Sequence, residues 1–311
     1  MNVKKPKSNH NNSTKNGQSV SLVLGSGGAR GLAHIGVIQV LEQQGYEIKS
    51  ISGSSMGALI GGIYATGHLS TYTEWVSALD RLDMVKLLDF SFSGSALFKG
   101  ERIISTLREL IGDCNIEDLP ISFTAVATDL DESKEVWLSS GPLFDAIRAS
   151  IAFPTVFSAF EYNGRTLVDG GLLNPIPIAP TLHDHTDLTI AVNLSGKSRP
   201  LPQPEINGNA KVKRAGYHHK IMDFIETVQR KGKSYLEVQD EGFFDVISKS
   251  LDAMQSTISR LKLAAYTPDI TIDIPKNICT IYEFERAREL IAIGRNETEE
   301  AIRNFHHQNG N

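Results

Sequence analysis

The chain has 311 residues, with 31 lysines and arginines against 36 acidic side chains and a formal net charge of −5. That length can bury the core of one large domain, and the negative balance argues against a general nucleic-acid binder. Two cysteines are too few for a disulfide framework, which fits a reducing compartment, and no apolar run reaches the roughly 18 residues of a membrane-spanning helix.

Residues 1–19 are polar and rich in Asn and Lys, without the hydrophobic stretch of a signal peptide, and are expected to form a disordered tail. Ser21, Leu22, Val23 and Leu24 then read as an apolar strand running into Gly25-Ser26-Gly27-Gly28-Ala29-Arg30-Gly31. Leu32 to Leu41 follow with apolar residues at helical spacing. A strand, a glycine loop and a helix start present backbone N–H groups where the helix dipole also favours negative charge. Three readings compete for such a loop. A Rossmann fingerprint asks for a third glycine where Arg30 stands, and for an acidic residue where the next strand ends in Ser50, Ile51 and Ser52. A P-loop asks for Gly-Lys-Ser/Thr, but Gly31 is followed by Leu32 and Ala33. An oxyanion hole asks only for unobstructed N–H donors beside a nucleophile.

The next strand, at residues 48–51, supplies one. It leads into Gly53-Ser54-Ser55-Met56-Gly57, and residues 58–65 suit a buried helix. This is the pattern of a nucleophile elbow, with Ser55 at the turn and Gly53 and Gly57 where side chains would collide with strand or helix. Alone, the pentapeptide also fits a chance turn of small residues. Helices are expected over residues 70–81 and, between Gly100 and Gly112, over 101–111. Strands are expected at 123–128, at 135–138 before the Gly141-Pro142 turn, at 191–194 and at 270–274. Leu167-Val168-Asp169-Gly170-Gly171 either puts a carboxylate at a strand tip or is a simple Asp-Gly turn. The alternation of strands and helices implies a parallel α/β layer.

Between about 200 and 266 the pattern implies a helical, partly basic insertion. Ile247, Leu251, Met254, Ile258 and Leu261 form an amphipathic stripe expected to pack on the domain. Lys211, Lys213, Arg214, Lys220, Arg230, Lys231 and Lys233 make a basic excess. It reads either as a solvated insertion or as a surface for anionic lipid headgroups, each basic residue near such a surface contributing about 1 kcal/mol. His34 is expected to be a helix-packing residue, and His218 and His219 belong to a charged, exposed run. The order Ser55, Asp169, then His183 or His185 would permit an α/β-hydrolase triad, but so early a serine leaves room for only one strand–helix unit before it. His183-Asp184-His185-Thr186-Asp187 also carries a fragment of a metallohydrolase pattern, whose next histidine is replaced by Leu188, so no metal is expected.

Taken together, the segments resemble the patatin-like phospholipase family, in the bacterial branch that also includes the catalytic domain of neuropathy target esterase. Gly25, Gly27, Gly28, Arg30 and Gly31 match its glycine loop, Ser55 its nucleophile and Asp169 its dyad acid. Ala127-Thr128-Asp129-Leu130, Ala146-Ile147-Arg148-Ala149-Ser150 and Asn174-Pro175-Ile176-Pro177 also look like the family, and Ser133 stands where it often has glycine. The resemblance covers residues 21–194 and resumes over 268–294. It implies a three-layer α/β/α fold with a mainly parallel sheet, an oxyanion hole built from Gly27, Gly28, Ala29 and Arg30, and no cofactor. Arg30 either positions that loop or faces a lipid phosphate. The implied activity is hydrolysis of phospholipid or lysophospholipid esters through an acyl-enzyme. An acyltransferase of the same chemistry and a non-catalytic lipid-binding regulator are the alternatives. The expected location is the cytoplasm, with peripheral contact at the inner face of the membrane as a second reading.

A Ser–Asp pair raises a chemical difficulty. A free Asp has a pKa of about 3.9 against about 6.5 for His, so it is the poorer acceptor of a serine proton at neutral pH. Burial is expected to raise it, and the loop amides to favour the developing anion. The loop itself is expected to lie outside the core.

Overall fold

A computed structural model describes residues 17–87, 89, 96–200 and 241–310. The expected disordered tail, apart from its last three residues, and all of the basic residues between 211 and 233 lie outside them. The chain divides into one unit of Met1–Ser198 with Ser250–Asn311 and a second of Arg199–Lys249. Of the second unit, the described part is residues 199–200 and 241–249, the latter beginning a long helix.

Strand β1 (Ser19–Leu24) sits inside the sheet, and its near-continuous apolar run is what a strand covered on both faces requires. Val20, Leu22 and Leu24 face the larger core, while Val23 points the other way into a smaller cluster with Ile176, Ile178 and Ala191. On either side lie β2 (Glu47–Ser54) and β9 (Leu188–Gly196), both parallel to it. Beyond them β10 (Ile270–Pro275) pairs parallel with β9, and β4 (Ser122–Asp129) parallel with β2. Three antiparallel strands finish the sheet. β5 (Lys134–Leu138) and β8 (Arg165–Asp169) both pair with β4, and β7 (Phe160–Tyr162) pairs with β8. A separate parallel pair joins β3 (Ala96–Phe98) to β6 (Thr155–Phe157).

The pairing of β4 decides where the site forms. Ala125 and Val126 pair with β2 and with β5 at once, so those two strands occupy opposite edges of β4. Ala127 to Asp129 pair with β5 and with β8. A strand has two edges, so β8 runs along the same edge as β2, beyond its end. Ser54 is registered against Val126, and Asp169 against Ala127. The tips of β2 and β8 therefore meet head to head.

Helices α1 (Ala33–Gln43), α2 (Met56–Ala65), α3 (Leu69–Ala78), α5 (Glu101–Ile111) and α6 (Leu143–Ser150) contribute to the larger core, with α4 (Arg81–Lys86) a short separate piece. The opposite face is covered by the segment around Ile176 and Ile178 and by the end of α7 (Glu241–Tyr266), whose Leu263 and Tyr266 pack there. This is the expected three-layer α/β/α arrangement, with a mixed, mainly parallel sheet. The last helix, α8 (Ala287–Gln308), lies against α1 and was not foreseen from the sequence.

Two expectations need correction. The helix expected over 70–81 ends at Ala78, because Leu79 is extended, and α4 begins anew at Arg81. The face of α7 that packs overlaps the expected apolar stripe only in part: Ile247, Leu251 and Ile258 are half-buried, but Met254 and Leu261 are exposed, whereas Gln255 and Ser259 are buried. The packed line runs Gln255, Ser259 and the partly buried Leu263 and Tyr266 at helical steps, and its first two residues are polar, which hides it from a search for apolar periodicity.

The crossing of α1 and α8 depends on two glycines. A Cβ on Gly36 would overlap the Ile291 carbonyl oxygen, and one on Gly294 would overlap the Ala33 carbonyl oxygen. Backbone sits at both positions, so no rotamer change relieves the contact. Gly294→Ala is expected to lower stability by about 1–3 kcal/mol, the usual result of overpacking, read as a fall of several degrees in Tm. An unchanged melting point would mean that the helices are not so closely apposed.

Candidate active site

β2 ends at Ser54 and α2 begins at Met56, leaving Ser55 alone at the turn with φ 54° and ψ −122°. A positive φ is strained for any residue with a Cβ and persists only where the surroundings hold it. Two features do so. A Cβ on Gly53 would lie 2.5 Å from the Ala58 nitrogen, and one on Gly57 would overlap the Leu24 carbonyl oxygen, so only glycines permit so tight a turn. The Ser55 N–H also donates to Ser150 Oγ at 2.9 Å, and that hydroxyl donates in turn to the Val126 carbonyl at 2.6 Å. Ser150 was not among the expected site residues. Its only signal in the sequence is that it closes the segment running from Ala146.

With β8 abutting β2, the Ser55 hydroxyl donates to Asp169 Oδ2 at 2.5 Å. The other carboxylate oxygen, Oδ1, accepts the Gly171 N–H at 2.7 Å. The Asp169 backbone is fixed as well, its N–H on the Ala152 carbonyl at 3.0 Å and its carbonyl accepting from Thr128 Oγ1 at 3.1 Å. Asp169 is fully buried, and burial pushes its carboxyl up to about 7 against the pull of the hydrogen bonds from Ser55 and Gly171.

The glycine loop reaches both residues. A Cβ on Gly31 would overlap that of Met56, next to Ser55, and a Cβ on Gly171 would overlap Ser26 Oγ. Within the loop, Gly25 N–H donates to the Val192 carbonyl, Ser26 N–H to the Pro175 carbonyl and Ala29 N–H to the Ile281 carbonyl. These bonds correct the expected donor set. Ala29 already uses its amide, whereas Gly27 and Gly28 have no backbone acceptor among the described residues. The loop is also no loose surface turn. Ala29, Arg30, Gly31 and Leu32 are buried, and a Cβ on Gly28, at φ +56°, would lie 2.7 Å from the Ile281 carbonyl oxygen. A side chain at Gly28 would thus strain the fold as well as disturb a donor.

Arg30 points inward. Its Nε donates to the Gly27 carbonyl at 3.1 Å, one terminal nitrogen to the Lys276 carbonyl at 3.4 Å and the other to Asp252 Oδ1 at 2.8 Å. Of the two expected roles, the contacts match positioning of the loop. His34 lies beneath it, with Nε2 at 2.8 Å from the Gly25 carbonyl. A carbonyl only accepts, so Nε2 carries the proton. Burial pushes His34 down to about 4 and keeps it neutral. Its support of the loop was invisible in the sequence, where it read simply as a packing residue.

His183 and His185 are exposed and precede β9, whose first residue pairs with Val20 at the start of β1. Ser55 follows the other end of the parallel strands, so the triad with either histidine does not form.

The family model of patatin-like phospholipases matches residues 22–182, more than half of the 311-residue chain. The chain belongs to the patatin-like phospholipase family. An uncharacterized NTE family protein of Mycobacterium tuberculosis is 38% identical, the match covering 92% of each chain. A Candida glabrata protein named lysophospholipase NTE1 is 32% identical over 52% of this chain and 10% of its own length. A neuropathy target esterase of Drosophila persimilis is 33% identical over 52% of this chain and 12% of its own. The crystal structure of VipD from Legionella pneumophila gives a TM-score of 0.45 at 14% identity, covering 93% of this chain and 67% of that one, too distant to bear on the site. In this patatin-like chain, Ser55 and Asp169 both fall within the matched residues, and Asp252, Lys276 and Ile281 fall outside them.

Asp169 and His34 oppose one another in their effect on stability. Asp169 is raised from 3.8 to about 7, so its contribution is fully present below pH 3.8 and is lost as the pH rises to about 7. His34 is lowered from 6.5 to about 4, so its contribution is present above pH 6.5 and is lost as the pH falls to about 4. Between about pH 4 and 6.5 the two slopes offset. Asp169→Asn is expected to remove one of them, giving a variant whose Tm rises with pH over that window more steeply than the wild type. Parallel profiles would mean that Asp169 is not held above its ordinary range by burial.

Proposed function

We propose that the protein is a serine acyl hydrolase that cleaves carboxylic esters of lipids, with Ser55 as nucleophile and Asp169 as its base. The observation that carries this reading is the 2.5 Å hydrogen bond from a strained, elbow-borne serine to a buried carboxylate. As Ser55 Oγ bonds to the acyl carbon, its proton passes to Asp169, and the carbonyl oxygen becomes an oxyanion held by the N–H groups of Gly27 and Gly28. Collapse expels the alcohol, which takes the proton from Asp169. Water then attacks the acyl-enzyme with Asp169 again as base, and the carboxylic acid leaves.

Burial answers the difficulty of a carboxylate base. With Asp169 pushed up to about 7, its proton affinity matches the working pH in the way a histidine's does. The family favours a lipid ester as substrate, and one relative bears the name lysophospholipase, so phospholipids and lysophospholipids are the classes to test first.

A fluorophosphonate should label Ser55 alone, and Asp169→Asn should lower kcat on a soluble chromogenic ester by about 10²–10⁴-fold. An adduct on another serine would overturn the nucleophile. The free enzyme's kcat/KM should fall about tenfold per pH unit below pH 7, because Asp169 must be ionised to take the serine proton. A profile flat from pH 5 to 8 would remove Asp169 as the base. Product analysis with excess acceptor alcohol separates hydrolysis from acyl transfer.

A further inference from the structure

The Gly27–Gly28 peptide carries two groups that matter at once. Its carbonyl is the one held by Arg30 Nε, and its N–H is one of the two assigned to the oxyanion. In a trans peptide these groups point in opposite directions across a rigid plane, so holding the carbonyl aims the N–H. Two glycines do little to hold that plane themselves, since neither has a Cβ to restrict rotation about the bonds flanking it. Gly28 already sits at φ +56°, a region that glycine enters freely. The orientation is therefore set by bonds from outside the two glycines: Gly27 caps the 3-10 turn of Gly28–Leu32, the Ala29 N–H is tied to the Ile281 carbonyl, and Arg30 Nε is the side-chain donor to the peptide itself.

Arg30 can make that bond only while its own guanidinium is fixed. The side chain is 4% exposed, and a buried cation needs a compensating charge. Asp252 on α7 supplies it, with Oδ1 at 2.8 Å from the guanidinium. The remaining contact, to the Lys276 carbonyl, is long at 3.4 Å and brings no charge.

We propose that Asp252 is a positioning residue for the oxyanion loop, acting through Arg30 to hold the Gly27–Gly28 peptide with its N–H turned to the reacting oxygen. The proposal rests on the oxyanion assignment made above. It assigns a role in the reaction to a carboxylate on the opposite side of the loop from Ser55 in the bonding chain, outside the residues that the family model matches. A merely structural ion pair would tether α7 and change stability. A positioning pair changes the rate of the chemical step, because the N–H it aims is needed more in the transition state than in the bound ester.

The test uses p-nitrophenyl butyrate for turnover and an alkyl trifluoromethyl ketone as inhibitor, since its serine adduct places an oxyanion in the hole. Asp252→Ala is expected to lower kcat about tenfold to a hundredfold with KM within about twofold, less than the 10²–10³ typical for outright loss of a donor. The inhibitor's Ki should weaken by the same factor as kcat. Asp252→Glu keeps a carboxylate for Arg30 and should recover activity to within about threefold of wild type, whereas Asp252→Asn, which keeps the acceptor and loses the charge, should fall between the Glu and Ala variants. Wild-type kcat and Ki in Asp252→Ala would overturn the proposal, as would a fall in kcat with Ki unchanged, or a loss in Asp252→Glu as large as in Asp252→Ala. Should Asp252→Ala fail to fold, Asp252→Ser, too short to reach Arg30, gives the same reading. Arg30→Met separates the two levels of the argument. If it loses kcat and Ki while Asp252→Ala does not, Asp252 alone is excluded; if neither variant moves them, the loop is held without Arg30 and the proposal falls, whereas failure of the fluorophosphonate to label Ser55 would mark failure of the function on which it rests.

Discussion

The site depends on a single constraint, that β2 and β8 share one edge of β4 and meet end to end. Parallel strands in an α/β sheet present their C-terminal tips on one side, where a loop or helix follows each of them. β8 arrives at the same place from the other direction, so its own C-terminal residue, Asp169, lands beside the tip of β2. Backbone hydrogen bonding of β4 thus sets the distance between a serine and a carboxylate separated by 114 positions in the chain. The Val126 carbonyl, through Ser150, then braces the serine's amide, and Thr128 bonds the Asp169 carbonyl. Both proposed reacting groups are referred to the same strand, which is how a bond as short as 2.5 Å is kept without help from flexible loops.

Burial at that meeting point also underlies the proposed chemistry. An exposed aspartate would be a weak base at neutral pH, and an aspartate with many donors would be weaker still. Asp169 is buried and accepts one backbone N–H, from Gly171, besides the serine hydroxyl. Desolvation therefore outweighs the hydrogen bonds, and the carboxyl moves toward neutrality. His34, beneath the glycine loop, responds to its own burial in the opposite sense, since for a histidine the charged form is the protonated one. A histidine in that environment stays neutral and serves as a fixed donor to the loop; a carboxylate there becomes a better base.

What the sequence made legible were the places where backbone geometry excludes side chains. Gly53, Gly57 and the run from Gly25 to Gly31 stand where a Cβ would strike backbone or a packed side chain, so the residue type itself reports the geometry. Asp169 was legible for the same reason, through Gly170 and Gly171, whose Cβ atoms would overlap the Val126 carbonyl and Ser26 Oγ. Groups acting at long range were not legible. Ser150, His34 and Asp252 are ordinary residues in ordinary helices, and only folding shows that each bonds to the elbow or the loop. The direction of β8 escaped notice because five residues with apolar centres pair equally well either way. On α7, the buried Gln255 and Ser259 defeat a reading in which polar means exposed.

The residues matched by the family model hold the proposed nucleophile, acid and donors, yet they account only in part for the shape of the donor loop, through Pro175 and His34. Gly25 is tied to Val192 on β9, Ala29 to Ile281, and Arg30 to Asp252 and Lys276. Every one of those partners lies beyond residue 182. β1, which delivers the chain into the loop, also depends on β9 for one of its two edges. A glycine-rich loop has too little conformational preference to adopt one arrangement unaided, since each glycine lowers steric restriction and adds to the entropy lost on ordering. The bonds that select the arrangement must come from residues already fixed by their own packing, and here β9, the β10–α8 connection and α7 add to those from Pro175 and His34 within the matched residues. The proposed chemistry and much of its alignment are thus carried by different parts of the chain: the first by short motifs that strain writes into the sequence, the second largely by residues beyond 182 that have no motif because they act only through where the fold puts them.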